Sequence, residues 1–263
     1  MQNLTSRRGG VLAVIAALSL IGASLASGDI TQKGDIRISF HGNIAPQKLP
    51  RKDLAPVAVQ MGAKIKTVSG EKPPRLSRIT LDINSNGVLD SKGLPTCPLG
   101  KLKNASAASA RKVCGDAEVG HGNVTSRIEF PGQGPFSVNG PLLAFNAKER
   151  GKQAIFAYVN LSGQFSTTFV LKFNVKKTKG TYGTSLVADV PPIASGSGYI
   201  SAFDLSLKRR YSLRGERRSY ASASCPLPSG VNTASFPLVR STYGFEDGTD
   251  VISVLTKDCR VRG

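Results

Sequence analysis

Past residue 35 the chain alternates apolar and polar residues with a period of two, and that rhythm narrows its possible folds more than any other feature. In an extended strand successive side chains point to opposite faces, so a row at i, i+2 and i+4 lines one face of a sheet. Ile36, Ile38 and Phe40 alternate with Asp35, Arg37 and Ser39. Val57, Val59, Met61, Ala63 and Ile65 alternate with Ala58, Gln60, Gly62, Lys64 and Lys66. Ile79, Leu81 and Ile83 make a third row against Arg78, Thr80 and Asp82, and Val124, Ser126, Ile128 and Phe130 make a fourth. Each row predicts a strand with one face in a core.

Residues 153–161 break the rule informatively, with Ile155, Ala157, Val159 and Leu161 on one side and Phe156 and Tyr158 on the other. Apolar residues on both faces predict a strand that is covered twice, or lies beside a ligand, and sits centrally in its sheet. Further rows follow at Phe169, Leu171, Phe173 and Val175, and at Tyr182, Thr184, Leu186, Ala188 and Val190. Tyr199, Phe203, Leu205 and Leu207 read as one face of the next strand, Val239, Ser241, Tyr243 and Phe245 as another, and residues 251–255 as the last. Asn86-Gly87, Asn139-Gly140, Pro191-Pro192, Arg214-Gly215 and Asp247-Gly248 read as the reversals between strands. One segment reads as helix, 102–113, where four alanines favour helix and Asn104 stands at the start as a cap. The expected fold is all-β, an antiparallel β-sandwich of about 11–12 strands with one short Ala-rich helix. Residues 191–198 are the best candidate boundary, but no long linker divides the chain, and 35–263 read as a single β-sandwich domain.

Residues 1–26 read as an export leader. Arg7 and Arg8 precede an apolar run over 11–26, and Ser24-Leu25-Ala26 supplies the small residues a signal peptidase reads, so cleavage is expected after Ala26. The alternative is a retained membrane anchor, although the run of about 16 residues is short against the ~20 that a span needs. No Cys stands near the cleavage site for a lipid anchor, and the tail Cys259-Arg260-Val261-Arg262-Gly263 carries no hydrophobic sorting segment. Residues 27–34 are polar and contain glycine, which predicts a flexible start to the mature chain. The expectation is a monomer, secreted or at the cell surface, with no transmembrane span after cleavage. Four cysteines in such a chain read as two disulfides. Pairing Cys97 with Cys114 and Cys225 with Cys259 keeps each bridge local and contributes about 3–4 kcal/mol per bridge by loop entropy. With no CxxC pair and 2 His in the chain, zinc is disfavoured.

Lys and Arg number 35 against 17 Asp and Glu; without Arg7 and Arg8 the basic residues are 33 and the net charge is +16. Such an excess attracts polyanions. For an exported chain these are cell-wall polymers, polysaccharide, anionic lipid heads or stray nucleic acid. The same charge also keeps a β protein soluble and discourages edge-to-edge pairing. The densest basic run is Lys208, Arg209, Arg210, Arg214, Arg217 and Arg218, set around a predicted hairpin turn at Arg214-Gly215-Glu216 with Tyr211 and Tyr220 interleaved. Two strand ends there would present a fan of guanidinium groups to an anionic partner. Lys176, Lys177 and Lys179 form a second basic turn.

Asp82, Asn84, Asn86 and Asp90, with Gly87, have the oxygen spacing of the first part of a calcium loop. The position that should carry a bidentate acid falls on Gly93, and the lead-in alternates as a strand, so an Asn-Gly turn is the simpler reading and calcium a weak alternative. Catalysis finds little to use. His41 and His121 are the imidazoles, there is no GxSxG elbow, and paired cysteines leave no thiolate. An extracellular hydrolase using two carboxylates is the alternative that spacing does not address. The absence of Trp and the 6% aromatic content weigh against sugar-stacking platforms. The expected role is therefore a non-catalytic binding or structural module of the cell envelope or exterior. It uses no cofactor, engages an anionic cell-wall polymer or polysaccharide, and has no specific nucleic-acid partner.

Several short stretches carry a resemblance: Lys72-Pro73-Pro74-Arg75-Leu76, Gly93-Leu94-Pro95-Thr96-Cys97, Val119-Gly120-His121-Gly122, Leu143-Ala144-Phe145-Asn146 and Tyr243-Gly244-Phe245-Glu246-Asp247-Gly248. In these the chain resembles a family of uncharacterised exported proteins, bearing signal peptides, common in actinobacteria. The resemblance implies a secreted, β-rich, disulfide-containing fold and carries over no activity, ligand or site residue.

Overall fold

The computed structural model describes residues 29–262, so the expected leader over 1–26 and its cleavage point lie outside the described residues. In chain order the first strands are β1 (Asp29–Lys33), β2 (Ile36–Ala45), β3 (Lys48–Leu49), β4 (Ala55–Pro56), β5 (Ala58–Thr67), β6 (Leu76–Asn84) and β7 (Gly87–Leu89). Helix α1 (Ala107–Cys114) follows, then β8 (Glu118–Ile128), β9 (Phe136–Glu149), β10 (Lys152–Leu161), β11 (Thr167–Lys177), β12 (Tyr182–Asp189) and β13 (Gly198–Leu207). The last are β14 (Arg210–Leu213), β15 (Glu216–Ser219), β16 (Ala221–Ala223), β17 (Thr233–Phe245) and β18 (Asp250–Val261). Among the described residues the fold is all-β with one short α-helix, as the alternation predicts.

Thirteen strands form one sheet in the order β1-β2-β5-β13-β8-β9-β10-β11-β12-β6-β17-β18-β3, antiparallel except for the short parallel pair β18 and β3. That sheet curls until β1 lies against β18. Val254 N donates to Asp29 Oδ2 at 3.1 Å, Ser253 Oγ to Thr31 Oγ1 at 2.9 Å, and Lys33 Nζ to the Asp250 carbonyl at 3.1 Å. The two layers of the expected sandwich are thus opposing walls of a single sheet. Met61, Val124 and Ile200 from one wall face Leu81, Leu171 and Leu186 from the other across a wholly apolar cavity of about 60 Å³. Of the start expected to be flexible over 27–34, residues 29–33 instead form β1, whose backbone is paired along β2 and tied to β18.

The curl has a local cause in glycine. Asn139-Gly140 is not a reversal but the middle of β9, where a Cβ on Gly140 would stand 1.8 Å from the Asn160 carbonyl oxygen. In β8 a Cβ on Gly122 would stand 2.0 Å from the Asp204 carbonyl oxygen. Where neighbouring backbones press this close, only a residue without a side chain fits, and the sheet bends. Strands from before and after the stretch 191–198 share the main sheet. β13, which follows it, lies between β5 and β8, and β17 lies between β6 and β18, so the main sheet interleaves strands from both halves of the chain.

β10 is the seventh of the thirteen strands, and its double apolar face is covered on both sides. Ile155, Ala157, Val159 and Leu161 join the inner core, whereas Phe156 and Tyr158 join Leu143 and Phe145 of β9 in a second cluster beneath α1. Each such aromatic side chain contributes about 2–3 kcal/mol by leaving water. The disulfide Cys97–Cys114 staples α1 over this cluster, and the Tyr158 hydroxyl donates to the Ala105 carbonyl. The helix begins later than predicted. Asn104 stands in the left-handed region at φ 56°, which interrupts the backbone, and Ser106 takes the capping role by accepting from Ser109 N at 3.1 Å. Tyr199 also departs from its predicted row. A bulge between Ile200 and Ala202 shifts the register of β13, so Ile200 joins Phe203, Leu205 and Leu207 inside while Tyr199 turns outward.

A second, small sheet in the order β4-β16-β7 closes one end of the curled sheet. Between it and the walls lies a mainly apolar cavity of about 80 Å³, divided from the central one by Met61 and Leu207. The disulfide Cys225–Cys259 ties this closure to β18, so both cysteine pairs are the local ones expected.

Candidate functional site

The basic run over 208–218 folds as the predicted hairpin. β14 and β15 pair around Arg214 at φ 52° and Gly215 at φ 84°, the left-handed pair that a tight type I′ reversal needs. The pairing sets Tyr211 opposite Arg218, and Ser212 opposite Arg217, on the two faces. The first face is fixed to the protein: the Tyr211 hydroxyl donates to the Lys92 carbonyl at 2.9 Å, and Arg218 Nη1 reaches Asp90 Oδ2 at 3.1 Å. Arg218 Nη2 also holds Glu216 Oε2 at 3.1 Å, and Arg209 Nη2 donates to the Asp116 carbonyl at 3.3 Å. The hydrogen bonds that the Arg218 guanidinium donates to Glu216 and then to Asp90 hold its pKa above the ordinary arginine value. The expected fan is therefore split. Lys208, Arg210, Arg214 and Arg217 are exposed, and among the described residues none has an acid at ion-pair distance, whereas Arg209 and Arg218 are engaged internally.

Three of the four calcium-like side chains are engaged with other groups of the protein. Asp82 lies in β6, where its Oδ2 accepts from Arg240 Nη2 at 2.8 Å and Nε at 3.0 Å, and that guanidinium stacks 4.7 Å above the Tyr182 ring. Asn84 donates to the Pro237 carbonyl at 3.0 Å and accepts from Asn86 N at 2.9 Å. Asp90 accepts from Lys92 N at 2.9 Å besides holding Arg218. A turn at 85–86 does follow β6, yet it does not close a hairpin on β6: β7 leaves it to pair with β16 in the small sheet. Among the described residues no group of three or more His, Cys, Asp or Glu is placed to hold a metal ion.

A basic surface that the sequence did not single out lies on the outer face of the main sheet. Arg37 of β2 stands directly opposite Lys66 of β5, and Lys64 is two residues along the same face. Across β13, Arg127 of β8 pairs in register with Tyr199 and with Ser137 of β9. Lys64, Lys66, Arg127, Ser137 and Tyr199 line a groove of about 380 Å³ whose lining holds one acid, Glu71. Arg37, Lys64, Lys66 and Arg127 are exposed, and among the described residues none is within ion-pair distance of a carboxylate. Like charges directly opposed on a sheet repel, at a cost on the order of a few tenths of a kcal/mol to 1 kcal/mol. Burial raises the Tyr199 phenol above its usual value, with Arg127 pulling it back. These cations occupy the outward positions of the rows that predicted β2, β5 and β8. The signal was present, but which strands adjoin and in what register was not.

The two imidazoles have ordinary surroundings. His121 Nδ1 lies 3.2 Å from Glu118 Oε1, and Glu118 Oε2 also holds Arg111 at 3.1 Å. His41 packs over Gly62 at the edge of a shallow pocket that contains Asp204. Among the described residues no helix is long and apolar enough to cross a membrane. No family model, no curated protein and no solved structure matches the chain.

Proposed function

We propose that the chain is a non-catalytic exported binding module whose basic sheet face engages an anionic cell-wall polymer or polysaccharide. The observation that carries this reading is the juxtaposition of Arg37 and Lys66, opposed in register, exposed and without acidic neighbours at ion-pair distance among the described residues. An anionic chain laid along the groove relieves that repulsion and gains charge-assisted contacts with Lys64 and Arg127. The four exposed cations of the β14–β15 hairpin offer a second, smaller surface. Two disulfides favour an oxidising compartment, in keeping with export and with the family resemblance.

The test is retention of the chain on isolated cell wall, immobilised heparin and immobilised DNA across a salt series. Retention at low salt on wall and heparin, released at moderate salt, is expected, with earlier release for the Arg37→Ser, Lys66→Ser double variant. Absence of retention at low salt, or unchanged release of that variant, overturns the reading. If Arg210→Ser with Arg217→Ser alone shifts release, the hairpin and not the sheet face is the contact.

A further inference from the structure

We propose that the interior of the curled sheet binds a medium-chain alkyl carboxylate, its tail in the two apolar cavities and its head beside Lys257. The cavity under the small sheet, about 80 Å³, and the central one, about 60 Å³, both have Met61 and Leu207 in their walls. They are neighbours with one partition between them. Close-packed interiors hold few voids larger than a water molecule, and two adjoining ones in a single core depart from that.

The charge at the mouth comes from an inward position. The inner row of β18 runs Val251, Ser253, Leu255, Lys257 and Cys259, so a lysine stands where alternation places a core residue. It lines the larger cavity, in register with Phe236 of β17. A lysine so placed lays its methylene stem on apolar surface and carries its ammonium to the water at the mouth. Among the described residues no carboxylate lies at ion-pair distance from it. Asp258, the one acid in that lining, stands on the outward row of β18 and accepts from Ser235 Oγ. An unpaired cation at the mouth of an apolar space fits an apolar guest that ends in an anion.

The tail has both an entrance and room. Ile83, Val88, Phe236 and Leu238 around the larger cavity are half-buried, so water touches apolar side chains there, and an alkyl chain would cover them. The central cavity has a wholly apolar lining in which water finds no partners. Together the two approach the ~150 Å³ apolar void that stays dry and accepts benzene, so about six carbons fill them. To reach the second, the chain must displace the partition. Met61 is unbranched and flexible and retains 7% exposure, which suits it to move aside. Apart from Met1 it is the only methionine in the sequence.

The mouth is built from strands that are held in place. The Cys225–Cys259 disulfide fastens β18 two residues beyond Lys257, and Cys225 N donates to the Pro50 carbonyl at 2.8 Å. Val57 N donates to the Ala221 carbonyl at 3.0 Å, which joins the small sheet to the start of β5. Walls fixed in this way keep their shape before a guest arrives, which lowers the ordering cost of binding.

The experiment titrates the full chain, carrying methyl-labelled methionine, with octanoate, octanol and acetate, reading calorimetric heats and the Met61 methyl resonance. Octanoate should bind and shift that resonance. Acetate, which lacks the tail, should do neither, and octanol, which lacks the charge, should bind about tenfold more weakly. Lys257→Met keeps an apolar stem and removes the charge, so it should weaken octanoate about tenfold and leave octanol unchanged. No binding of octanoate, a Met61 methyl that does not move at saturation, or equal losses for octanoate and octanol in Lys257→Met overturns the proposal. The Arg37→Ser, Lys66→Ser variant should bind octanoate as the unaltered chain does, and Lys257→Met should keep its heparin retention, so the cavity and the sheet face are tested separately.

Discussion

Arg218 Nη1 lies 3.1 Å from Asp90 Oδ2, joining the most basic stretch of the chain to the last oxygen of its calcium-like loop. Both side chains are about two-thirds covered, at 30% and 34% exposure, so the pair is screened less than a surface ion pair. Arg218→Ala should lower the melting temperature by roughly 2–4 °C. Arg217→Ala, on the solvent face, should change melting by less than about 0.5 kcal/mol. Equal effects in thermal melts would show that the hairpin's two faces are not distinguished.

Reducing the staple over the second cluster should be costly. Cys97 and Cys114 close a loop with a sequence separation of 17, and replacing both with Ala should remove about 3 kcal/mol by loop entropy. Hydrogen exchange should rise in α1 and around Phe156 and Tyr158 before it rises in β5 or β6, since the disulfide-held segment of helix and flanking loop covers that outer face. Denaturant unfolding gives the first quantity. A loss below about 1 kcal/mol would mean that packing alone seats the helix.

The curl depends on glycine at points of closest approach. Gly140→Ala should destabilise by at least about 3 kcal/mol or yield no folded protein, because the added methyl meets the Asn160 carbonyl of the next strand. Gly100→Ala, which meets nothing within 4 Å, should be neutral. Soluble yield and urea midpoints for the two variants make the comparison, and a native-like midpoint for Gly140→Ala would remove the cause assigned to the bend.

Alkaline pH should unfold the chain through two tyrosines. Burial pushes the phenols of Tyr220 and Tyr243 well above their usual 10.0. Unfolding returns each to about 10, so above that pH the unfolded chain has lost protons that the folded chain retains, and stability falls as pH rises. Below pH about 10 the contribution is whole, and above it each phenol removes about 1.4 kcal/mol per pH unit until its folded value is reached. Urea midpoints measured from pH 8 to 11 should drop steeply past 10, and the Tyr220→Phe, Tyr243→Phe double variant should flatten the drop. An unchanged slope in that variant would place the alkaline sensitivity elsewhere.

Much of the molecule is legible locally. The rows of β2, β5, β6 and β10 name their own buried faces, because period two is a property of each strand. The Arg214-Gly215 reversal and the two local disulfides follow from neighbouring residues as well. Where a feature needed knowledge of the neighbour, the reading failed. Asn139-Gly140 has the residues of a turn yet runs straight through β9, because its glycine answers the Asn160 carbonyl of β10 and not a reversal of its own chain. Tyr199 changes face through one extra residue in β13, and Asn104 gives up the cap to Ser106.

The same division runs through the candidate sites. Sequence by itself determined that this is a basic β protein with cystine staples, since charge, alternation and cysteine spacing reside in the chain. Tertiary structure decided which cations stay free and where the core stays unfilled. Arg218 is spent on Asp90 and Arg37 faces Lys66 because pairing in space sets electrostatic neighbours, and Lys257 lines an apolar cavity because the small sheet of β4, β16 and β7 closes over the end of its strand.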